Sequence, residues 1–100
     1  MKLLTKAVRE ALPPLYSQEK NPDPLCVVKF FDPCGSWTWF AYEGSDEGDD
    51  FIFFGLVKGF EEEIGYFSLK ELESVKGPLG LGIERDLHWT PKKLSAVKSK

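Results

Sequence analysis

The residues with the clearest chemical potential lie close together near the C-terminal end, in the stretch G-I-E-R-D-L-H-W. This stretch contains the only histidine of the chain, His88, preceded by Glu84, Arg85 and Asp86. In an extended segment, side chains two residues apart share a face at intervals of roughly 6 to 7 Å, so Glu84, Asp86 and His88 would line one side. Two carboxylates and an imidazole could bind a divalent metal ion or act as a general acid and base.

The same residues also have a structural interpretation. A metal site usually needs a third or fourth strong ligand, and with a single histidine the others would have to be acids from elsewhere. Arg85 and the acids could instead pair with neighbouring segments and act as a brace that ties an irregular stretch to the fold. We favour the brace, and keep catalysis or metal binding by Glu84, Asp86 and His88 as the alternative. No cofactor is expected.

Aromatic residues, which make up 14% of the chain, are the second signal. In the strand-like segment S-W-T-W-F-A-Y-E, Trp37 and Trp39 share one face and Tyr42 belongs to the other. Both faces are therefore apolar, unlike a sheet with one side in water. Either helices cover both faces, or part of a face stays open and Trp37, Trp39 and Tyr42 bind a protein or stack on nucleotide bases. Three short helices can hardly hide every ring in so small a chain, which favours binding.

The strands that carry these rings follow from composition and turn residues. Segments rich in β-branched and aromatic residues, joined by short connections, predict antiparallel neighbours. The predicted strands are Leu25–Phe31, Ser36–Glu43, Phe51–Val57 and Glu62–Phe67. The acidic stretch G-S-D-E-G-D-D between the second and third strands is predicted to be a solvated loop. These elements give a four-stranded antiparallel meander.

Three helices are predicted around this sheet. Apolar residues at three- and four-residue steps predict an amphipathic helix over Thr5–Leu12, stopped by a pair of prolines. The capping box S-L-K-E predicts a second helix over Leu69–Val75, ended by Gly77 as a left-handed cap. A short C-terminal helix is predicted to start at Pro91 and to fray at its lysine-rich end. The whole pattern predicts one α+β domain over residues 1–100.

Charge and composition limit the partners and the location. Eight acids lie between Glu43 and Glu63 against Lys58 alone, and the last ten residues carry four lysines. A protein that binds duplex DNA usually has a basic face, so double-stranded DNA is disfavoured as the partner. We expect a non-catalytic binding module whose partner is a protein first and single-stranded nucleic acid second, acting as a monomer or homodimer. No run predicts a signal peptide or a membrane span, so we expect a cytoplasmic protein with Cys26 and Cys34 as reduced thiols.

Several blocks of the chain resemble a known family. V-K-F-F-D-P-C-G-S-W-T-W-F-A-Y-E, F-F-G-L-V-K-G-F-E-E-E-I-G-Y-F and G-P-L-G-L-G-I-E-R-D-L-H-W are similar to the small bacterial proteins catalogued as domain of unknown function 2958. The resemblance extends from Leu3 to about Leu94 and implies no established activity and no catalytic residues. Members of that family occur mainly on plasmids and other mobile elements, which implies an accessory role for such an element, for example counter-defence.

Overall fold

The structure, a computed structural model, describes residues 1–99 and shows a mixed α+β fold built on antiparallel sheets. The predicted fold class is confirmed. In chain order the elements are α1 (Lys6–Ala11), β1 (Leu25–Cys26), β2 (Val28–Phe31), β3 (Thr38–Glu47), β4 (Asp50–Lys58), β5 (Glu62–Ser68), α2 (Leu69–Ser74), a 3-10 turn (Pro78–Gly80), β6 (Glu84–Arg85), β7 (Lys92–Lys93) and α3 (Leu94–Val97). No helix among these residues is long and apolar enough to cross a membrane.

The main sheet has five strands in the order β5-β4-β3-β2-β6, so the prediction of four strands is wrong. The additional strand is β6, in which Glu84 pairs with Phe31 and Arg85 with Phe30. The predicted first strand divides in two, because β1 pairs with β7 in a separate two-stranded sheet. Strands of two residues have no periodicity of their own, and only their pairing partners define them.

The predicted acidic loop is largely strand. β3 extends to Glu47 and β4 begins at Asp50, so only Gly48 and Asp49 form the turn. Gly48 has φ +62°, as two-residue hairpin turns require. The acids of this tip are held by cations outside the strands, since Asp46 pairs with Arg9 and Asp49 lies 2.7 Å from Lys70.

The Ser68 half of the predicted capping box is confirmed, because the hydroxyl of Ser68 accepts the N–H of Glu71 at 3.1 Å. The helix ends at Ser74, within one residue of the predicted Val75, but the predicted left-handed cap at Gly77 is wrong. The chain leaves α2 at Val75 in an extended conformation, and Gly77 has φ −86° rather than a left-handed angle. The positive φ angles of this loop belong to Leu79 and Gly80.

The last helix starts at Leu94 and not at Pro91. The lysines that precede it are occupied by pairing with β1, so they cannot be helical. A carboxylate far away in the sequence supplies the cap: Asp23 accepts the N–H of Ser95 at 2.8 Å and its hydroxyl at 2.6 Å. A cap contributed from 72 residues away has no local sequence signature.

Both faces of the sheet carry an apolar cluster, as the alternation of the strands predicts. The front face holds Phe30, Trp39, Phe53 and Phe67, which pack under residues flanking α1 and under α2, namely Leu3, Leu4, Leu12 and Leu72. The back face holds Phe40, Tyr42 and Leu56, which pack against Cys26, Leu94 and the half-buried Trp89. The domain therefore has three layers with the sheet in the middle.

Candidate functional site

A β-bulge in β3 decides which face of the sheet receives its charged residue. The register with β4 shifts between Ala41 and Glu43, so that Tyr42 and Glu43 lie together opposite Phe54. Glu43 therefore lies on the back face beside Tyr42. Without the bulge, alternation would direct its carboxylate into the front cluster with Trp39 and Ala41.

Glu43 is only 3% exposed and fixes a strained turn. Its two carboxylate oxygens accept the backbone N–H groups of Tyr16, at 2.9 Å, and Gln18, at 2.8 Å. Nearby, the hydroxyl of Ser45 accepts the N–H of Leu15 at 2.9 Å. Tyr16 has φ +71°, a left-handed conformation that a bulky residue rarely adopts. The buried carboxylate thus stabilises a backbone conformation that the chain would otherwise avoid.

Four rings run from the core to the surface of the back face. The ring centroids of Tyr42 and Phe54 are 5.6 Å apart, those of Phe54 and Tyr66 4.6 Å, and those of Tyr66 and Tyr16 6.5 Å. Tyr42 is buried, whereas Tyr66 and Tyr16 are 55% and 61% exposed. With Ile64 these residues line a cavity of about 420 Å³, which we call the tyrosine groove.

The hydroxyls of Tyr42 and Tyr66 have raised pKa values and are neutral at physiological pH. Burial raises the pKa of Tyr42 to about 12, and the negative charge of Glu43 acts in the same direction. Partial burial also raises the pKa of Tyr66, assisted by its hydrogen bond with Tyr16. Tyr42 and Tyr66 therefore contribute uncharged hydroxyls to an aromatic wall, and Glu19 and Lys98 also line the groove.

A second aromatic surface lies on the front face, at the turn between β4 and β5. Trp37 and Phe60 meet edge to face with centroids 5.5 Å apart and an interplanar angle of 84°. Together with Val57, Glu61 and Glu63 they line a cavity of about 340 Å³. We call this surface the Trp–Phe corner.

The two rings of the corner are held very differently. The indole of Trp37 is half-buried, packs on Trp39 with centroids 6.0 Å apart, and lies against Gly59, where an added Cβ would be 2.5 Å from the ring. Phe60 is 96% exposed. The corner thus joins one anchored ring to one ring that is open to solvent.

The structure separates the predicted aromatic residues. Trp37 and Trp39 touch, but Trp39 is only 8% exposed and supports Trp37 from the side of the core. Tyr42 lies on the opposite face and is 6% exposed. Of the three, Trp37 alone offers substantial ring surface to a partner.

The segment predicted as a site or brace runs beside β2. Asp86 accepts the backbone N–H of His88 at 2.9 Å and lies 3.7 Å from the ammonium of Lys29. The guanidinium of Arg85 donates to the carbonyl of Lys2 at 3.4 Å, and Glu84 is half-buried in β6. His88 is exposed. Among residues 1–99, no three His, Cys, Asp or Glu residues are placed to hold a metal ion.

Comparison with known proteins identifies the family. The family model described as "Protein of unknown function (DUF2958)" matches residues 3–98. The chain belongs to this family. No curated protein and no solved structure matches the chain. Membership in DUF2958 therefore confirms the resemblance over nearly the whole length and assigns no activity.

Two features of this DUF2958 chain were not predicted as site residues, Phe60 and Tyr66. Phe60 had a usable signal, because an aromatic residue in the tight turn K-G-F-E cannot be buried by strand alternation. Tyr66 had none, since its exposure depends on β5 lying at the edge of the sheet.

The two cysteines are free thiols, as predicted. Cys26 is fully buried, and burial raises the pKa of its thiol to about 11. Cys34 is exposed in the turn before β3. Neither contributes to the tyrosine groove or to the Trp–Phe corner.

Proposed function

We propose that this DUF2958 chain is a non-catalytic binding module that docks a protein partner at the Trp–Phe corner. The exposure of Phe60, at 96%, carries the proposal. A ring left in water adds almost nothing to the hydrophobic stabilisation of the fold. Aromatic residues are enriched among the residues that dominate binding energy, and Trp37 provides a preformed wall beside Phe60.

The charges of the corner indicate the chemistry of the partner. Glu61 and Glu63 border it, and neither forms a salt bridge within the described part of the chain. A lysine or arginine side chain placed over the exposed face of either ring would gain cation–π attraction from Trp37 or Phe60 and Coulombic attraction from the carboxylates. A basic protein segment therefore suits the site.

Nucleic acid suits it less well. The same carboxylates repel phosphate groups, so single-stranded nucleic acid ranks behind a protein. Catalysis by Glu84, Asp86 and His88 gains no support from the geometry, because Asp86 already bonds to Lys29 and to the His88 backbone. The family resemblance adds an accessory role for a mobile element, such as counter-defence, to this proposal. The basic segment that binds the corner would then belong to a protein of the host or of the element.

The test compares two substitutions of equally exposed apolar residues. Phe60→Ala removes the open ring of the corner, and Leu79→Ala is the matched control because Leu79 is 95% exposed and borders neither aromatic surface. NMR titration with a short lysine- and arginine-rich peptide should shift the indole N–H signal of Trp37. Phe60→Ala should weaken that binding about tenfold, corresponding to about 1.4 kcal/mol, and Leu79→Ala should leave it unchanged.

Affinity capture from the native host then identifies the partner. A protein that is retained by the wild type and by Leu79→Ala but lost with Phe60→Ala meets the proposal. Retention of the same proteins by all three chains, together with equal peptide affinities, would contradict docking at the Trp–Phe corner.

A further inference from the structure

The two edges of the five-stranded sheet differ greatly in length. One edge is β6, which has two residues, and the other is β5, which has seven. Within residues 1–99 no strand pairs with the outer side of β5. Ile64 and Tyr66 of this strand are 44% and 55% exposed. A long, accessible edge strand with exposed apolar residues is a template for pairing with another strand.

The hydrogen-bonding pattern shows which groups are available. The two-residue turn after Glu47 makes Glu47 and Asp50 a bonded pair, and bonded and non-bonded pairs alternate along an antiparallel ladder. Odd-numbered residues of β4, such as Gly55, therefore bond to β5. Gly55 pairs with Gly65, so the odd-numbered residues of β5 direct their backbone N–H and C=O groups toward β4. The residues that direct both N–H and C=O groups outward are Glu62, Ile64 and Tyr66. Ser68, which is 6% exposed and caps α2, has its C=O engaged in the first turn of the helix, so only its N–H points outward.

We propose that two copies of this chain pair through these edges, antiparallel about a two-fold axis at Gly65. In this register Ile64 lies opposite the partner's Tyr66, and Glu62 opposite the partner's Ser68. Ile64 and Tyr66 thus form two bonded pairs with the partner's Tyr66 and Ile64, and the C=O of Glu62 faces the N–H of the partner's Ser68. At the axis two glycines form a non-bonded pair, where Cα atoms approach most closely and where neither residue has a side chain to interfere.

The side chains support a second copy as the occupant of this edge. Ile64 against the partner's Tyr66 is an aliphatic–aromatic pair, which is a stabilising cross-strand combination. The acids Glu61, Glu62 and Glu63 all lie at one end of β5. Antiparallel symmetry places the two acidic ends far apart, with Glu63 opposite the partner's Phe67. A parallel arrangement would bring the glutamates of the two chains together. A shift of the antiparallel register by one residue would place backbone groups that point toward the partner opposite residues whose backbone groups point toward β4.

The proposed contact goes beyond the binding function proposed above. It uses the backbone edge of β5 and the side of the tyrosine groove, whereas the Trp–Phe corner uses side chains of the front face. Joining the edges would extend the two sheets into one and cover Ile64 and Tyr66. It would thereby remove exposed apolar surface of β5 from water.

Amide hydrogen exchange of the full chain, followed by NMR across a protein dilution series, tests the pairing residue by residue. The amides of Gly65 and Phe67 bond to β4 and should be protected at every concentration. The amides of Ile64 and Tyr66 should exchange rapidly in dilute solution and become protected as the concentration rises. Sedimentation equilibrium on the same samples should show a monomer–dimer equilibrium over that range.

Substitutions test the register. Ile64→Pro removes an outward-facing N–H without removing a bond to β4, so it should give a folded monomer. Because proline in a strand can also prevent folding, a second pair of variants is used. Ile64→Glu and Tyr66→Lys should each weaken the dimer at least tenfold, and an equimolar mixture should restore it, since the new carboxylate of one chain faces the new ammonium of the other.

Three results would overturn the proposal. One is a wild-type chain that stays monomeric at its highest soluble concentration. Another is a dimer that forms equally well with Ile64→Glu and with Tyr66→Lys. The third is protection of the Ile64 and Tyr66 amides that appears only when the basic peptide is added, which would assign the edge to the partner protein. None of these results depends on whether Phe60→Ala affects peptide binding, so the two proposals are tested separately.

Discussion

The tyrosine groove and the Trp–Phe corner are both aromatic and partly exposed, yet they depend on the fold in opposite ways. The groove is connected to the interior by the buried carboxylate of Glu43, which holds Tyr16 in a strained conformation. In the corner, the Trp37 ring packs against Gly59, and the ring of Phe60, in the adjoining turn, touches little besides Trp37. Exposed rings that are part of a hydrogen-bonded network stabilise the fold, whereas exposed rings outside such a network are better candidates for binding a partner.

The largest effect is expected in the groove. Glu43→Ala would leave the backbone N–H groups of Tyr16 and Gln18 without their acceptors in a partly buried position. The free energy of unfolding, measured by urea denaturation, should fall by about 3 kcal/mol. Glu43→Gln keeps one acceptor oxygen and should lose less. If Glu43→Ala were as stable as the wild type, the groove would contribute as little to the stability of the fold as the corner does.

A smaller loss is expected at the base of the corner. Gly59→Ala places a Cβ against the Trp37 ring, and relieving this overlap should cost about 1.5 kcal/mol and shift the Trp37 indole signal in NMR spectra. Gly65→Ala is the control, with both variants measured at a concentration where the chain is monomeric, because a Cβ at that position has no heavy atom within 4 Å in the monomer. Equal stabilities of the two variants would show that the indole does not lie on Gly59.

Alkaline titration gives a further test of the groove. The pKa of Tyr42 is raised from 10.0 to about 12 by burial, so the folded state favours the neutral phenol. The stabilisation is present below pH 10 and is lost as the pH rises toward about 12. Unfolding measured across this range should show a decline in stability that Tyr42→Phe reduces. If the stability of Tyr42→Phe fell as much as that of the wild type, ionisation of Tyr42 would not be the cause of the decline.

The smallest effect on stability is expected for Phe60→Ala, within about 0.5 kcal/mol of the wild type, because the ring is 96% exposed. Phe60→Ala should therefore lose peptide affinity and keep its stability, whereas Glu43→Ala should lose stability. A large loss of stability, seen by urea denaturation, would mean that the Phe60 ring packs against the fold and that the corner is structural.

Much of the fold could be predicted because its signals are local. The hairpin of β2 and β3, the strand after it and the cap at Ser68 all follow from alternation and turn chemistry within a few residues. The acidic tip was assigned to a loop because polar composition outweighed the two-residue turn at Gly48. The start of α3 could not be predicted, since its cap comes from Asp23, in a different part of the chain.

The candidate site was only partly predictable for a related reason. Trp37 was found from alternation, but its separation from Tyr42 and the buried position of Trp39 depend on what packs on each face. The role of Glu43 depends on a bulge, which has no clear signature in this sequence. Phe60 was recognisable only as a ring in a turn.

Local spacing of residues was sufficient to predict an α+β fold with an antiparallel sheet that is apolar on both faces, because the position of a residue along a strand sets where its side chain points. The three-dimensional structure was needed to show that β6 completes the sheet, that Glu43 lies on the back face, and that Phe60 and the edge of β5 remain open. These outcomes depend on pairing and packing between segments distant in the chain, and no local pattern records them.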